Sequence, residues 1–177
     1  MDKSLQKYFS TTWLKRDRTL DQYTYSGWSL LDQIKSTEWV LDVGCGTNPF
    51  NGKIQNLYGI DITNVGCHEQ VSIEEFEPAI LFDVAFCLGS INFGDERTIY
   101  NQIKKINSIL KHNARIYWRC NPGRHDHGND ECNNINFFPW TIEHHNKWSA
   151  EFGFNIQDVQ TDNNRLYVVW ERSSFFN

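Results

Sequence analysis

Apolar residues first gather densely enough for a buried strand at Trp39-Val40-Leu41-Asp42-Val43, where Gly44-Cys45-Gly46 stops the run. Leu57-Tyr58-Gly59-Ile60-Asp61, the weaker Glu69-Gln70-Val71, and Phe82 to Leu88 closed by Gly89 predict strands two, three and four. Arg115-Ile116-Tyr117-Trp118-Arg119-Cys120, halted by Asn121-Pro122-Gly123, predicts the fifth. Between Asp95 and Leu110 the period changes: Ile99, Ile103, Ile106 and Ile109/Leu110 recur at helical spacing, with Asp95 placed to cap the start and Lys111 and His112 at the end. A second helix is expected from Thr141 to Phe152, with Ile142, His145, Trp148 and Phe152 on one face and Gly153 as its stop. Phe154–Val159 and Arg165–Trp170 flank Thr161-Asp162-Asn163-Asn164 and predict a closing antiparallel hairpin. Ahead of the first strand, Trp28, Leu31 and Ile34/Lys35 fit a short amphipathic helix, preceded by an aromatic, mixed-charge leader with Tyr8, Phe9, Trp13, Lys15 and Arg16.

Strands that alternate with crossovers and end in a hairpin predict an α/β fold in three layers, with a sheet of about seven strands, mostly parallel and antiparallel at the last. The link from Gly44 to Leu57 barely exceeds the dozen or so residues that a parallel crossover needs, so the crossover helices must be shortened or missing. At 177 residues the chain fits one domain, 1–177, with 1–36 as a helical leader and cap. Aromatics make up 15% of it, too much apolar material for a disordered protein. A net charge of −5 argues against a chain built to coat nucleic acid, which is disfavoured as a partner. No run approaches the ~20 apolar residues of a membrane span and the N-terminus has no apolar signal core, so no membrane partner and a cytoplasmic location are expected. The five cysteines (Cys45, Cys67, Cys87, Cys120, Cys132) are odd in number and argue against a disulfide framework. Cys120, Cys132, His125 and His127, with His144 and His145, lack the spacing of a metal site, so no metal is expected.

Chemistry gathers at two places. Asp42-Val43-Gly44-Cys45-Gly46-Thr47-Asn48-Pro49 has the make-up of a loop against which a ligand lies directly on the backbone, because Gly44 and Gly46 have no Cβ. Asp61, ending the second strand, is placed to accept hydrogen bonds from a ribose diol. Loop and acid together read as an adenosine site. A dinucleotide cradle wants glycine where Pro49 stands, and proline offers neither an N–H nor room for close helix packing.

The segment Asp42 to Phe50 resembles the first motif of the class I S-adenosylmethionine (AdoMet) methyltransferases, an acid and an apolar residue followed by Gly-x-Gly. Phe82 to Ser90 resembles their fourth strand, and Leu110-Lys111-His112-Asn113-Ala114 the turn before their fifth. The resemblance implies a Rossmann-like sheet, AdoMet as cofactor and S-adenosylhomocysteine as product. It implies that Gly44, Cys45 and Gly46 contact the methionine part, that Asp42 orients that loop or the amino group, that Asp61 holds the ribose and that Ile62 lies along the adenine. In the family's third-strand motif an acid serves the adenine amine; here the region offers Ser72, Ile73 and Glu74, with Ser72 or Glu74 as the polar group. Leu88 and Gly89 complete the cofactor set. The family's third glycine is replaced by Asn48.

Ligands of such folds meet beyond the carboxyl ends of the strands, which makes Ser90, Asn92, Arg119, Asn121, Arg124 and His125 the acceptor-side candidates. Methyl transfer needs in-line positioning more than a dedicated base; should a proton have to leave, His125 or His127 has a suitable ordinary pKa, set against a plain solvated loop. Gly89-Ser90-Ile91-Asn92-Phe93 lacks the Pro-Pro-aromatic run of the base-amino methylating enzymes, so base N-methylation is disfavoured. Phe93 either stacks on a planar acceptor or closes the pocket. Lys15, Arg16 and Arg18 either grip an anionic substrate or form a solvated face, and Trp13 and Trp28 either lid the cofactor or plug the sheet edge. The expected activity is methyl transfer to a small molecule or exposed polar acceptor. Its rivals are a non-catalytic AdoMet-binding scaffold and an NAD(P)-dependent oxidoreductase on the same kind of sheet.

Overall fold

The computed structural model describes residues 3–15, 20–123 and 135–172. Seven strands, β1 (Val40–Val43), β2 (Leu57–Asp61), β3 (Glu69–Gln70), β4 (Phe82–Leu88), β5 (Leu110–Cys120), β6 (Phe154–Asp162) and β7 (Arg165–Arg172), form one sheet in the order β3-β2-β1-β4-β5-β7-β6. The strands from β3 to β5 pair in parallel, and β7 lies antiparallel between β5 and β6. This is the α/β sheet that the sequence predicts. Among the described residues three α-helices accompany it: α1 (Lys3–Thr11), α2 (Glu96–Ser108) and α3 (Ile142–Glu151).

Strand alternation sorts the core onto two faces. Leu41, Val43, Ala85, Cys87, Ile116 and Trp118 point towards α2 and α3, where Ile99, Ile103 and Ile106 of α2 are fully buried. Val40, Val84, Phe86 and Tyr117 point the other way, onto Leu30, Phe50 and Ile54. Among the described residues that second cover contains no α-helix: it is a 3₁₀ segment at Trp28–Gln33 and the turns around Phe50, so the amphipathic helix expected before β1 is 3₁₀ instead. Its six residues are too few to sustain an α-helix by cooperativity, and the chain is already extended at Ile34. The links between β1, β2, β3 and β4 hold no helix at all, which is the limit of the shortening read from the sequence.

Asp95 caps α2 as expected, accepting from the Thr98 amide at 2.8 Å. The other end differs from expectation. α2 stops at Ser108, and Leu110 already pairs with Phe82, so Lys111 and His112 belong to β5 and not to a last helical turn. The reason is a charge partner on β4: Lys111 Nζ lies 2.8 Å from the Asp83 carboxylate, and an irregularity containing Asn113 (φ 57°) absorbs the extra residues before Arg115 joins Val84. The hairpin loop is also tighter than read. Asn163 and Asn164 alone turn the chain, both at positive φ (49° and 55°), which two-residue turns of the twist-matching kind require. Thr141 caps α3 in a reciprocal box with His144.

Candidate functional site

At the tips of β1 and β2 the backbone folds back on itself. Gly44 and Cys45 both donate to the Ile60 carbonyl, at 2.8 and 3.0 Å, and Gly46 N–H donates to Asp61 Oδ2 at 2.9 Å. The loop after β1 and the acid ending β2 are therefore joined by a charge-assisted hydrogen bond. The other Asp61 oxygen accepts from the amide and hydroxyl of Thr63, at 2.8 and 2.7 Å. Sequence reading missed Thr63; the signal was a hydroxyl two residues after an acid, where Asx-type turns form.

Glycine at 44 and 46 has a concrete steric cause. A Cβ on Gly44 would stand 2.3 Å from the Ser90 Cβ, and one on Gly46 would stand 2.7 Å from the Trp13 ring. Both residues also have positive φ, 69° and 58°. The close approach is thus made by the protein's own side chains, Ser90 after β4 and Trp13 of the leader. Asn48 takes φ 57°, the left-handed region that asparagine tolerates best after glycine, and its Nδ2 donates to the Gly66 carbonyl at 3.0 Å.

Asp42 and Arg119 project from β1 and β5 towards the same face. Asp42 is only 4% exposed, and burial pushes its carboxyl up to about 7, against the pull of Arg119 and with a further push from Asp61. Arg119 lies over the Tyr23 ring at 4.0 Å, donates to Ser26 Oγ at 3.2 Å and bonds the Leu88 carbonyl. Tyr23 and Ser26 come from the leader, a partnership no local pattern announces. Burial pushes the Cys45 thiol well above its ordinary range, and its Sγ sits over Gly59, so this side chain turns to β2.

These groups share one cavity of about 520 Å³. Its wall includes Asp42, Gly44, Cys45, Gly46, Asp61, Ile62, Ser72, Ile73, Leu88 and Gly89, every residue expected on the cofactor side. Ser90, Asn92, Arg119 and Asn121 line it too, whereas Arg124, His125 and His127 lie outside the described residues. Asn92 and Asn121 are turned to the protein: Asn92 Oδ1 accepts from the Asn121 amide at 3.0 Å, and Asn121 Nδ2 donates to the Gly123 carbonyl. Ser90 Oγ is enclosed without a hydrogen-bond partner among the described residues.

The leader covers this end. Gln6 Nε2 donates to the Ile62 carbonyl at 3.1 Å, Phe9 meets Phe93 at 5.4 Å, and Phe93 bridges to Phe137. Trp13 stands over the glycine loop, while Trp28 packs edge-on against Phe50 beneath it. Lys15 is exposed; Arg16 and Arg18 lie outside the described residues. His144 and His145 of α3 pack among aromatic rings, His144 on Phe138 and Trp148 and His145 on Trp140 and Trp170, and Cys132 is outside the described residues. Among the described residues no group of three or more His, Cys, Asp or Glu could hold a metal, and no helix is long and apolar enough to cross a membrane.

Neither a family model nor a curated protein matches the sequence. Solved structures do match the coordinates. Magnesium protoporphyrin IX methyltransferase from Synechocystis, with bound SAM, superposes with a TM-score of 0.73 at 15% identity, over 98% of this chain and 98% of that one. The N-methyltransferase NodS from Bradyrhizobium japonicum, in complex with S-adenosyl-L-homocysteine, gives 0.68 at 14% identity, over 96% of both chains. The chain has the class I methyltransferase fold. The [4+2]-cyclase SpnF shares it as well, with a TM-score of 0.61 at 14% identity over 81% of this chain and 78% of that one. A class I methyltransferase fold therefore leaves the reaction to be argued from the site.

Proposed function

We propose that this chain is an AdoMet-dependent methyltransferase acting on a small-molecule acceptor. The observation that carries the reading is the Gly46–Asp61 hydrogen bond, which brings the glycine loop and the ribose-type acid to one cavity wall. The wall fits an adenosyl amino acid. It offers a loop with bare backbone at Gly44 and Gly46 and the Cys45 side chain turned to β2, two buried carboxylates for an ammonium and a diol, and apolar Ile62 and Ile73 for a flat base. When bound, AdoMet supplies a methyl group made electrophilic by its sulfonium. Magnesium protoporphyrin IX methyltransferase and NodS carry SAM or its demethylated product in the same fold, which supports this choice of cofactor.

Each residue then has a task. Gly44, Cys45 and Gly46 present backbone to the amino-acid end, and Asp42, half ionised near neutrality, gains its charge when a cation comes beside it. Asp61 offers its carboxylate to the sugar while fixing the loop through Gly46. Ser90, Asn92, Arg119 and Asn121 are the acceptor-side residues that line the cavity, with Phe93 and Phe137 as an apolar wall that keeps water from the reacting atoms. Positioning of this kind needs no dedicated base.

Calorimetry with S-adenosylhomocysteine tests the reading. Micromolar binding by the intact chain, weakened about 100-fold in Asp61→Ala through loss of charge-assisted bonds to the sugar, is expected. Absence of binding, or stabilisation by NADH alone, sinks it. A non-catalytic scaffold is the rival favoured by Asn92 and Asn121, since Asn92 Oδ1 and both ends of the Asn121 amide are bonded within the protein. Labelled methyl transfer from AdoMet to a pool of small metabolites decides between them.

A further inference from the structure

The charged side chains of the cavity wall are sorted by place. Asp42 and Asp61 stand at the tips of β1 and β2 and Glu74 follows β3, on the cofactor side, while Asp21 is an exposed residue of the leader. Arg119 and Arg165, both partly buried, stand at the tip of β5 and the start of β7. Arg119 and Tyr167 are paired directly across these antiparallel strands and so share a face, and Arg165 lies two residues from Tyr167 on that same face. The two guanidiniums are thus diagonal neighbours, at a spacing that long side chains bridge. Sequence reading nominated Arg119 and missed Arg165, because only the strand pairing brings it to the cavity.

Hydrogen bonds orient both. Arg119 lies against Tyr23 and bonds Ser26 and the Leu88 carbonyl. Arg165 Nη1 donates to Asn121 Oδ1 at 3.3 Å and to the Asn164 carbonyl at 3.1 Å. Asn121 is held in turn by its N–H on Asn92 Oδ1, and the Asn92 carbonyl accepts from the Phe138 amide at 2.8 Å, which brings the bridged pair Phe93 and Phe137 alongside. The two asparagines therefore join a guanidinium to a pair of apolar rings within one stretch of wall. A sulfonium nucleoside is positive at its sulfur and its ammonium, so two further cations on the same cavity oppose it unless an anion lies between. A wall of this kind selects by charge as well as by shape.

We propose that the methyl acceptor is a small ring-bearing anion, its carboxylate or phosphate held by Arg165 and Arg119 and its ring by Phe93 and Phe137, with Asn121 as the positioning residue for Arg165. An anion placed there is attracted by both guanidiniums and by the sulfonium, which a neutral or cationic acceptor is not. The inference rests on the AdoMet reading and narrows its acceptor to one charge and one shape.

The test titrates benzoate, phenyl phosphate and benzamide into the intact chain saturated with S-adenosylhomocysteine, followed by ligand-detected NMR. Benzoate, phenyl phosphate or both should bind about tenfold or more tightly than benzamide, and the one that does so names the anion. Arg165→Leu should weaken anion binding about tenfold and leave S-adenosylhomocysteine affinity within about twofold. Arg165→Lys keeps the charge without the planar fork and should recover part of the loss. Asn121→Ala should weaken anion binding several-fold in the same pattern, a selective effect that a general loss of structure would not give. Equal binding of anions and benzamide, binding of none of the three, or an anion preference unchanged in Arg165→Leu overturns this proposal and leaves the cofactor reading standing. A wild-type chain that takes up no S-adenosylhomocysteine overturns both.

Discussion

Two buried regions of this molecule treat ionisable groups in opposite ways. Between β5, β7 and α3, the rings of Trp118, Trp140 and Trp170 close around His145, which stacks on Trp140 at 4.5 Å and is wholly buried, with Trp148 packed on Trp140 behind. Neither ring nitrogen of His145 has a partner among the described residues, and burial holds its pKa down at about 3, with the neighbouring His144 adding to the effect. At the strand tips, Asp42, Asp61 and Arg119 are gathered beside a cavity instead, and Asp42 is pushed the other way, to about 7. Burial alone is common to both. The difference is in the neighbours: the aromatic core holds His145 neutral with no carboxylate beside it, whereas at the cavity Asp42, also disfavoured as an anion by burial, sits between the opposed fields of Arg119 and Asp61, where an incoming ligand can change its charge.

The largest effect expected from this contrast is in the aromatic core. Trp118 contacts Trp140, Trp170 and His145 and is absent from the cavity wall. Trp118→Ala should lower unfolding free energy by about 3–5 kcal/mol in urea titration, while nucleoside affinity of the folded protein stays within about twofold. A comparable loss of affinity at constant fold would show that the two regions are not separable.

Acid and base titration should divide the regions next. The folded-state pKa of His145 lies below its unfolded value, so its contribution to stability is complete above about pH 6.5 and is lost as pH falls towards 3. Asp42 has the opposite slope: its folded pKa exceeds the unfolded value of 3.8, so stability falls as pH rises from about 4 to 7 and the full penalty applies above that. The windows overlap and partly cancel in the wild type. His145→Leu should flatten the acid limb. Asp42→Asn should stabilise the ligand-free protein at pH 8, on the order of 2–4 kcal/mol, and do so less at pH 5, while weakening nucleoside binding. Chemical unfolding at both pH values checks the pair, and an Asp42→Asn protein less stable at pH 8 than at pH 5 relative to wild type would contradict the assignment.

Much of the strand-tip region was legible from sequence because its signals are local. A dense apolar run, a glycine pair and an acid closing the next run identify β1, its loop and β2 without knowing how the chain folds. The 3.6-residue recurrence of Ile99, Ile103 and Ile106 likewise gives α2. What escaped depends on distant partners. β5 begins at Leu110 because Lys111 finds Asp83, 28 residues away, and local propensity has no access to that pairing. Arg119 is held by Tyr23 and Ser26 of the leader, and Gln102 by Glu74, contacts that exist only once the sheet has brought the segments together. The cover beneath Phe50 was misread for another reason: a short run such as Trp28–Gln33 has the same apolar spacing whether it is α or 3₁₀.

The smallest effect separates two roles of the glycine loop that the comparison leaves joined, conformation and bonding. Asn48 stands where the class I motif has its third glycine, at φ 57°, and its amide also ties the loop to Gly66 at 3.0 Å. Asn48→Gly keeps the left-handed backbone and loses that bond, so a destabilisation of about 0.5–1.5 kcal/mol is expected. Asn48→Ala loses the bond and adds the left-handed penalty of a Cβ, roughly a further 1–2 kcal/mol. The stability order should therefore run Asn, Gly, Ala in urea unfolding. If Ala matched Gly, the loop would not depend on its left-handed turn at position 48, and the side-chain bond alone would account for asparagine there.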